Sequence, residues 1–323
     1  MNYSENIKGK KILITGGLGF VGHNLAKELI ETFKCDVHIL DNLFNSDINS
    51  LKKYTTKFTH INDSVNTFDL SILDDFEIVF HLACVQIAHS SKDPFLDLKT
   101  NAGSTLRILD YYRFHKTRLE RFIYTSSASV YGNAQFGICS ESGPTRTLSH
   151  YASTKYLGEN YTVMYHKLYG IPTTSVRYSN VYGFGQSPAN TYCGVLGKFI
   201  HNALTRKSLQ IFGDGQQTRD YTFITDAVNA TIVAATHSSA IGEVFNVGTG
   251  IETSVNQIAH LLQEKYPEIK IEYIPPRDID NIRRRYMDIN LIQTKLGWEP
   301  VVSFDIGLEK TIEWYKEFLR DQL

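Results

Sequence analysis

Short apolar runs rich in β-branched residues alternate along the chain with longer stretches whose apolar residues recur at helical spacing. Lys11–Thr15, Val37–Leu40, Phe58–Asn62, Glu77–Leu82, Arg121–Thr125 and Thr173–Arg177 read as strands, with Val21–Phe33, Pro94–His115 and Tyr151–Tyr169 as helices between them. Such alternation predicts an α/β fold with a doubly wound parallel sheet. After Asn180 the texture changes. Tyr182–Asn190 (YGFGQSPAN) and Phe212–Gln217 (FGDGQQ) read as loops, and Thr225–His237, Thr253–Tyr266 and Phe304–Leu319 as elements of a smaller α/β C-terminal region. A division into residues 1–178 and 179–323 is expected, with the chain crossing back to the first part around 225–247 and a ligand in the shared interface.

The first strand breaks into the glycines of KILITGGLGFVG, Gly16, Gly19 and Gly22, before helix-compatible sequence. Gly16 permits a tight turn, Gly19 lets the backbone approach a pyrophosphate, and Gly22 lets the following helix lie close on the sheet with its first N–H groups aimed at the anion. The second strand ends at Asp41, where a carboxylate accepts from an adenosine ribose diol and repels a 2′-phosphate. No Arg or Lys stands between Asp41 and Leu51 to receive such a phosphate. The first part is therefore expected to be a Rossmann domain holding NAD.

The chain has 323 residues, and its 33 basic and 34 acidic side chains leave a net charge of -1. No broad electrostatic footprint for nucleic acid or anionic membrane arises from such a balance. Cys35, Cys84, Cys139 and Cys193 lie about fifty residues apart without a CxxC pair, and read as small buried apolar residues of a reducing cytoplasm, with no disulfide or metal expected. The polar N-terminus and the lack of a long apolar run give no sign of a membrane span. A cytoplasmic protein with a small-molecule partner is expected.

Tyr151 and Lys155 stand four apart on a predicted helix, and so on one face. A nearby ammonium favours the phenolate of a tyrosine, making it a usable base. Tyr112 with Lys116 and Tyr266 with Lys270 share the spacing. Only Tyr151 also has upstream a strand end, FIYTSSASVYG, that delivers the hydroxyls of Ser126 and Ser127.

Taken together, TGGLGFVG at 15–22, HLAC at 81–84, Asn101, TSSASVYG at 125–132, YASTK at 151–155, RYSNVYG at 177–183, GDGQQTRDYTFITD at 213–226 and NVGTG at 246–250 resemble the extended short-chain dehydrogenase/reductase family, and within it the NAD-dependent sugar-nucleotide 4-epimerases. The resemblance runs essentially end to end. It implies Ser127, Tyr151 and Lys155 as catalytic residues, with Ser127 donating to the sugar 4-oxygen and Lys155 also holding the nicotinamide ribose. Asp63 would meet the adenine amino group, Leu82 and Ala83 would line the adenosine, and Asn101 would orient the helix and cofactor region. Phe20, Val21, Asn42, Ser64, Ser126 and Tyr178 are further implied cofactor contacts. Asn180, Arg219, Tyr221, Arg277 and Asp280 would grip the nucleotide diphosphate and ribose, with Val195 and Phe212 beside them. A homodimer acting on a UDP-sugar is implied as well.

Two departures narrow the reaction. Related 4,6-dehydratases carry an Asp-Glu pair where Ala128 and Ser129 stand, and related decarboxylases a Glu at Ser129, so elimination and decarboxylation lack their acid and base. The stretch Arg277–Asp288 (RDIDNIRRRYMD) is one residue longer than the usual epimerase segment and brings Arg284 or Arg285 near the expected sugar pocket. One of them should pair with a protein carboxylate or meet a charged substrate group. A 4-epimerase of a UDP-hexose such as UDP-glucose or UDP-galactose is expected, with a UDP-uronate 4-epimerase or nucleotide-sugar 4-ketoreductase as alternatives, and a non-catalytic NAD-binding regulator as a distant one.

Overall fold

The computed structural model describes residues 5–54, 57–134, 137–186, 194–276 and 282–320. Its strands are β1 (Lys11–Thr15), β2 (Asp36–Leu40), β3 (Phe58–Ile61), β4 (Ile78–His81), β5 (Arg121–Ser127), β6 (Ile138–Cys139), β7 (Thr173–Tyr178), β8 (Asn180–Tyr182), β9 (Leu209–Phe212), β10 (Thr218–Phe223), β11 (Val244–Val247), β12 (Glu252–Ser254), β13 (Ile271–Ile274) and β14 (Tyr286–Met287). The helices are α1 (Phe20–Glu31), α2 (Ile87–Ser90), α3 (Pro94–Asp97), α4 (Ser104–Phe114), α5 (His150–Tyr169), α6 (Val195–Leu204), α7 (Ile224–Thr236), α8 (Val255–Lys265), α9 (Asn290–Leu296) and α10 (Phe304–Arg320).

Seven strands form one sheet in the order β11-β7-β5-β4-β1-β2-β3, every neighbouring pair parallel. Parallel strands need crossovers, and these place helices on both faces, so the strands are buried on both sides and read as near-continuous apolar runs. Successive side chains alternate faces: Ile12 and Ile14 enter the core that contains Leu25 and Leu29 of α1, whereas Leu13 enters the one that contains Ile108 and Leu109 of α4. The strand order reverses at β1, between β4 and β2, and the crevice outside the carboxyl ends of the strands at such a point is where α/β sheets receive ligands.

β11 comes late in the chain yet pairs with β7, so the polypeptide returns to the sheet after α7. Around it, β12-β10-β8, β13-β9 and β14-β6 make three small sheets. These C-terminal strands are short and were not legible from periodicity.

One predicted helix is corrected. Pro94–His115 is α3, a π-helical stretch Leu98–Gly103, and then α4. The wider turn sits at Asn101, whose Nδ2 donates to Asp97 Oδ1 at 2.5 Å and to the Val85 carbonyl at 3.1 Å while its Oδ1 accepts from the Val85 N–H at 2.7 Å. Local side-chain bonding of this kind is invisible to hydrophobic spacing. π-turns inside helices occur often at functional sites.

Candidate active site

The glycine loop is shaped as its spacing predicts. Gly16 has φ +67°, and a Cβ there would lie 2.8 Å from the Ala83 backbone. A Cβ on Gly22 would collide with the Gly16 carbonyl, so only glycine lets α1 start this close to β1. Gly19 opens α1 without a side-chain cap, which leaves its first-turn N–H groups, those of Phe20 and Val21 among them, available to an anion.

Asp41 ends β2 with a buried carboxylate that accepts from the Leu18 N–H at 3.0 Å, the Leu43 N–H at 2.9 Å and the Ser46 hydroxyl at 2.7 Å. It therefore ties the glycine loop to the β2 end. Asn42 and Asp63 are exposed beside it; Asp63 accepts from the Ser64 N–H at 2.6 Å, and Asn42 from the Phe44 N–H at 3.2 Å. Leu82 and Ala83 leave β4 with their N–H groups bonded to Thr15, at 3.1 Å to its carbonyl and 3.2 Å to its hydroxyl. The Ser126 hydroxyl is buried with no hydrogen-bond partner among the described residues, an orphan polar atom at the mouth of the same crevice. A left-handed turn, a cradle that only glycine fits, an uncapped helix start and an orphan hydroxyl suit a dinucleotide such as NAD.

Of the three Tyr/Lys pairs with the same spacing, only Tyr151 and Lys155 share a helix. Lys116 lies beyond the end of α4, and Lys270 beyond the end of α8. Ser149 caps α5 by accepting from the Ala152 N–H at 3.1 Å, and the helix runs from there across β5 and β7. Gly158 lets Tyr124 pass beneath it: the Tyr124 hydroxyl donates to the carbonyls of Asn101 at 3.0 Å and Lys155 at 3.2 Å, where a Cβ on Gly158 would strike it.

Ser127 ends β5 and caps the turn Ala128–Tyr131, its Oγ accepting from the Ser129 N–H at 3.1 Å. Its hydroxyl is among the groups that favour the Tyr151 phenolate. Desolvation is the largest influence on the Tyr151 phenol and raises its pKa above the usual value; Cys84 adds to this, and the Ser127 hydroxyl and the positive charge of Arg285 oppose it. The ammonium of Lys155, 2% exposed, lies 4.6 Å from the centroid of the Tyr124 ring, and burial lowers its pKa. The groups that favour the phenolate are thus Ser127 and Arg285, and the lysine that the spacing pointed to is not among the leading influences.

Cys84 corrects an expectation. Cys35 and Cys139 are buried, but Cys84 is exposed in the loop after β4, close enough to influence both Tyr151 and Lys155. β4 ends at His81, three residues before it. Cys193 falls outside the described residues.

On the C-terminal side, Asn180 begins β8, Val195 begins α6 and Phe212 ends β9, all three partly buried. Arg219 donates from Nη1 to the carbonyls of Thr218 at 2.7 Å and Ile282 at 2.8 Å. Tyr221 is in the hydrophobic core against Tyr182 and Phe304, and the Tyr178 hydroxyl is 2.6 Å from that of Thr231. Arg277 and Asp280 lie outside the described residues.

The arginine run splits three ways. Arg283 makes a forked pair with Asp214 at 2.7 and 2.9 Å, and Arg284 one with Glu252 at 3.0 and 2.6 Å, both at the surface. Arg285 turns inward and is 7% exposed. The residue that fixes this direction is Asp220, which sequence reading passed over. Its N–H donates to the Arg285 carbonyl at 3.2 Å, and its buried carboxylate accepts from the N–H groups of Met287, Thr249 and Gly250.

With a glycine cradle, an acidic β2 end and a Ser127–Tyr151–Lys155 group on one crevice, comparison with known proteins is decisive. The sequence profile of the NAD dependent epimerase/dehydratase family matches residues 12–248. The chain belongs to that family. It is 33% identical over 315 residues to a UDP-glucose 4-epimerase of Mycolicibacterium smegmatis, covering 95% of this chain and 98% of that protein. Among solved structures, the UDP-glucose 4-epimerase of Thermotoga maritima with UDP-glucose matches with a TM-score of 0.87 at 33% identity, over 96% of this chain and 99% of that one. The UDP-glucuronic acid 4-epimerase of Bacillus cereus with UDP-glucuronic acid and NAD matches with a TM-score of 0.86 at 31% identity, over 95% and 99%. As in these relatives, the fold is a Rossmann-like α/β sheet, and no helix among the described residues is long and apolar enough to cross a membrane.

Proposed function

We propose that this chain is an NAD-dependent 4-epimerase of a UDP-sugar, interconverting UDP-glucose and UDP-galactose. The observation that carries the reading is the placement of Tyr151 and Lys155 one turn apart on α5, with Ser127 at the end of β5 and its hydroxyl favouring the Tyr151 phenolate, beside the glycine cradle. Gly16, Gly19, Phe20, Val21, Asp41, Asn42, Asp63, Ser64, Leu82, Ala83, Asn101, Ser126, Tyr178 and Lys155 are the residues assigned to NAD, which when bound supplies a hydride acceptor and donor for C4 of the sugar.

Tyr151 takes the proton of the 4-hydroxyl, Ser127 holds the same oxygen in line, and Ser127 and the positive charge of Arg285 favour the phenolate. The 4-keto sugar turns within the pocket, and Tyr151 returns the proton to the opposite epimer. Asn180, Val195, Phe212, Arg219, Tyr221, Arg277 and Asp280 are assigned to the nucleotide, whose diphosphate suits the forked donors of arginine. Residues 1–178 and 179–323 then act as cofactor and substrate regions, with α7 and β11 returning to the first.

The outer faces of α3 to α5 expose Phe95, Leu98, Phe114 and Leu168, apolar surface that a second copy of the chain would cover. We take the working form as a homodimer in the cytoplasm.

A second reading is favoured by Arg285, whose buried charge beside Tyr151 suits a sugar that carries a carboxylate, as in UDP-glucuronate. The deciding assay follows UDP-glucose, UDP-galactose and UDP-glucuronate with purified protein and no added reductant. Interconversion to a fixed ratio without net change in nicotinamide absorbance supports the epimerase. In a parallel assay with reduced cofactor and a 4-keto nucleotide sugar, net consumption of that cofactor would mark a ketoreductase, and silence on every sugar in both assays a regulator.

A further inference from the structure

Glu159 lies one further turn along the α5 face that carries Tyr151 and Lys155, and it is 2% exposed. Its carboxylate accepts a fork of two bonds from Arg177 on β7, from Nε at 2.9 Å and Nη2 at 2.6 Å. The remaining arm of that guanidinium, Nη1, donates to the Tyr131 hydroxyl at 2.6 Å, which in turn donates to Asn246 Oδ1 on β11 at 2.7 Å. Arg177, Tyr131 and Asn246 are all buried. Asn246 continues the chain of bonds through Nδ2 to the carbonyls of Cys139 at 2.8 Å and Asp288 at 2.9 Å.

The two ends of this network matter because of what they carry. Glu159 belongs to the helix of Tyr151 and Lys155. Tyr131 closes the turn Ala128–Tyr131, which Ser127 caps. One planar guanidinium therefore grips both the helix that carries Tyr151 and the turn that Ser127 caps, and its fork has a fixed geometry that a flexible ammonium lacks. A buried ion pair is a poor source of net stability compared with apolar packing, whereas some such groups specify one conformation.

We propose that Arg177, acting through Glu159 and Tyr131, is a positioning residue that sets the register between α5 and the serine turn and so holds Ser127 against Tyr151. This rests on the 4-epimerase reading and deepens it.

Tyr131→Phe is the mildest test, because it removes one hydroxyl and leaves the Arg177–Glu159 fork in place. The expected variant is folded, retains NAD after desalting and has a KM for UDP-glucose within about threefold of the parent, but turns over about tenfold more slowly. Its pH–rate profile should move to higher pH, since a loosened Ser127 no longer favours the phenolate. The other groups that bear most on that phenol, Cys84 after β4, Asp97 on α3 and Arg285 before β14, are untouched. Arg177→Lys keeps the charge and loses the fork; it should lower turnover in the same way, and combining it with Tyr131→Phe should give less than the product of the two effects. Unchanged turnover and pH profile in Tyr131→Phe, with only a lower melting temperature, would overturn the proposal. If the parent turns over no UDP-sugar, the functional reading fails instead. A crystal structure of Tyr131→Phe then decides the inference alone: a lengthened Ser127–Tyr151 separation supports it, and an unchanged one ends it.

Discussion

Lys155 and Tyr124 hold each other: the lysine ammonium lies 4.6 Å from the centroid of the tyrosine ring, and the tyrosine hydroxyl donates to the lysine carbonyl at 3.2 Å. The ring face offers a cation a partner that accepts no proton, and Cys84, Asp97 and Glu159 oppose the lowering of the Lys155 pKa by burial. The same contact fixes the depth of α5 over β5, and with it the height of Tyr151 above the strand end that carries Ser127.

Tyr151→Phe should leave the fold and NAD binding intact and lower turnover by at least about a hundredfold, the usual contribution of a positioned acid–base group. Steady-state kinetics on UDP-glucose beside a cofactor titration check this. Near-normal turnover would remove Tyr151 from the mechanism.

Asp41→Ala should relax a preference for NAD over NADP, because both the diol contact and the repulsion of a 2′-phosphate are lost. The carboxylate also receives Leu18, Leu43 and Ser46, so the variant should lose about 1–3 kcal/mol of stability as well. Cofactor affinities and a denaturant titration on the same samples separate the two effects. Equal affinity of the parent for both cofactors would mean that the ribose lies elsewhere.

Arg285→Ala should move the pH dependence of turnover upward, because the Arg285 charge lowers the pKa of the Tyr151 phenol and its removal lets that pKa rise. Arg284→Ala should do nothing comparable, since Arg284 is exposed and its charge is taken up by Glu252. If Arg285 also meets a substrate carboxylate, its loss should cost UDP-glucuronate at least about tenfold more in kcat/KM than UDP-glucose. Identical pH profiles for parent and Arg285→Ala would refute the electrostatic role.

Burial holds the pKa of His81 down to about 3 and that of His23 down to about 4, against an ordinary value of 6.5. Above pH 6.5 both are neutral, folded or unfolded, and cost nothing. As the pH falls below 6.5 the unfolded chain takes up protons that the native state refuses, so stability drops toward the folded values by about 1.4 kcal/mol per pH unit for each histidine. Urea unfolding at pH 7, 6 and 5 should show this loss, and in His81→Asn roughly one proton's worth of the slope should be missing. An unchanged slope would mean that His81 is charged in the fold.

The sequence by itself determined six of the seven strands of the central sheet, because burial on both faces writes parallel strands as apolar runs, and it determined the glycine turn and the spacing of Tyr151 and Lys155, because backbone sterics and helical spacing are local. Its limits were equally physical. Three Tyr/Lys pairs shared one spacing, and only the helix ends, set by packing, left Tyr151 and Lys155 on a common face. Three adjacent arginines were indistinguishable as a string, and only Asp220, reaching from β10 to pin the Arg285 carbonyl and the Met287 N–H, turned one of them inward and left two on surface carboxylates. The exposure of Cys84 and the hold of Arg177 on both Glu159 and Tyr131 were likewise tertiary decisions. They join residues far apart in the chain, and no periodicity records which distant groups a fold will bring within hydrogen-bond reach.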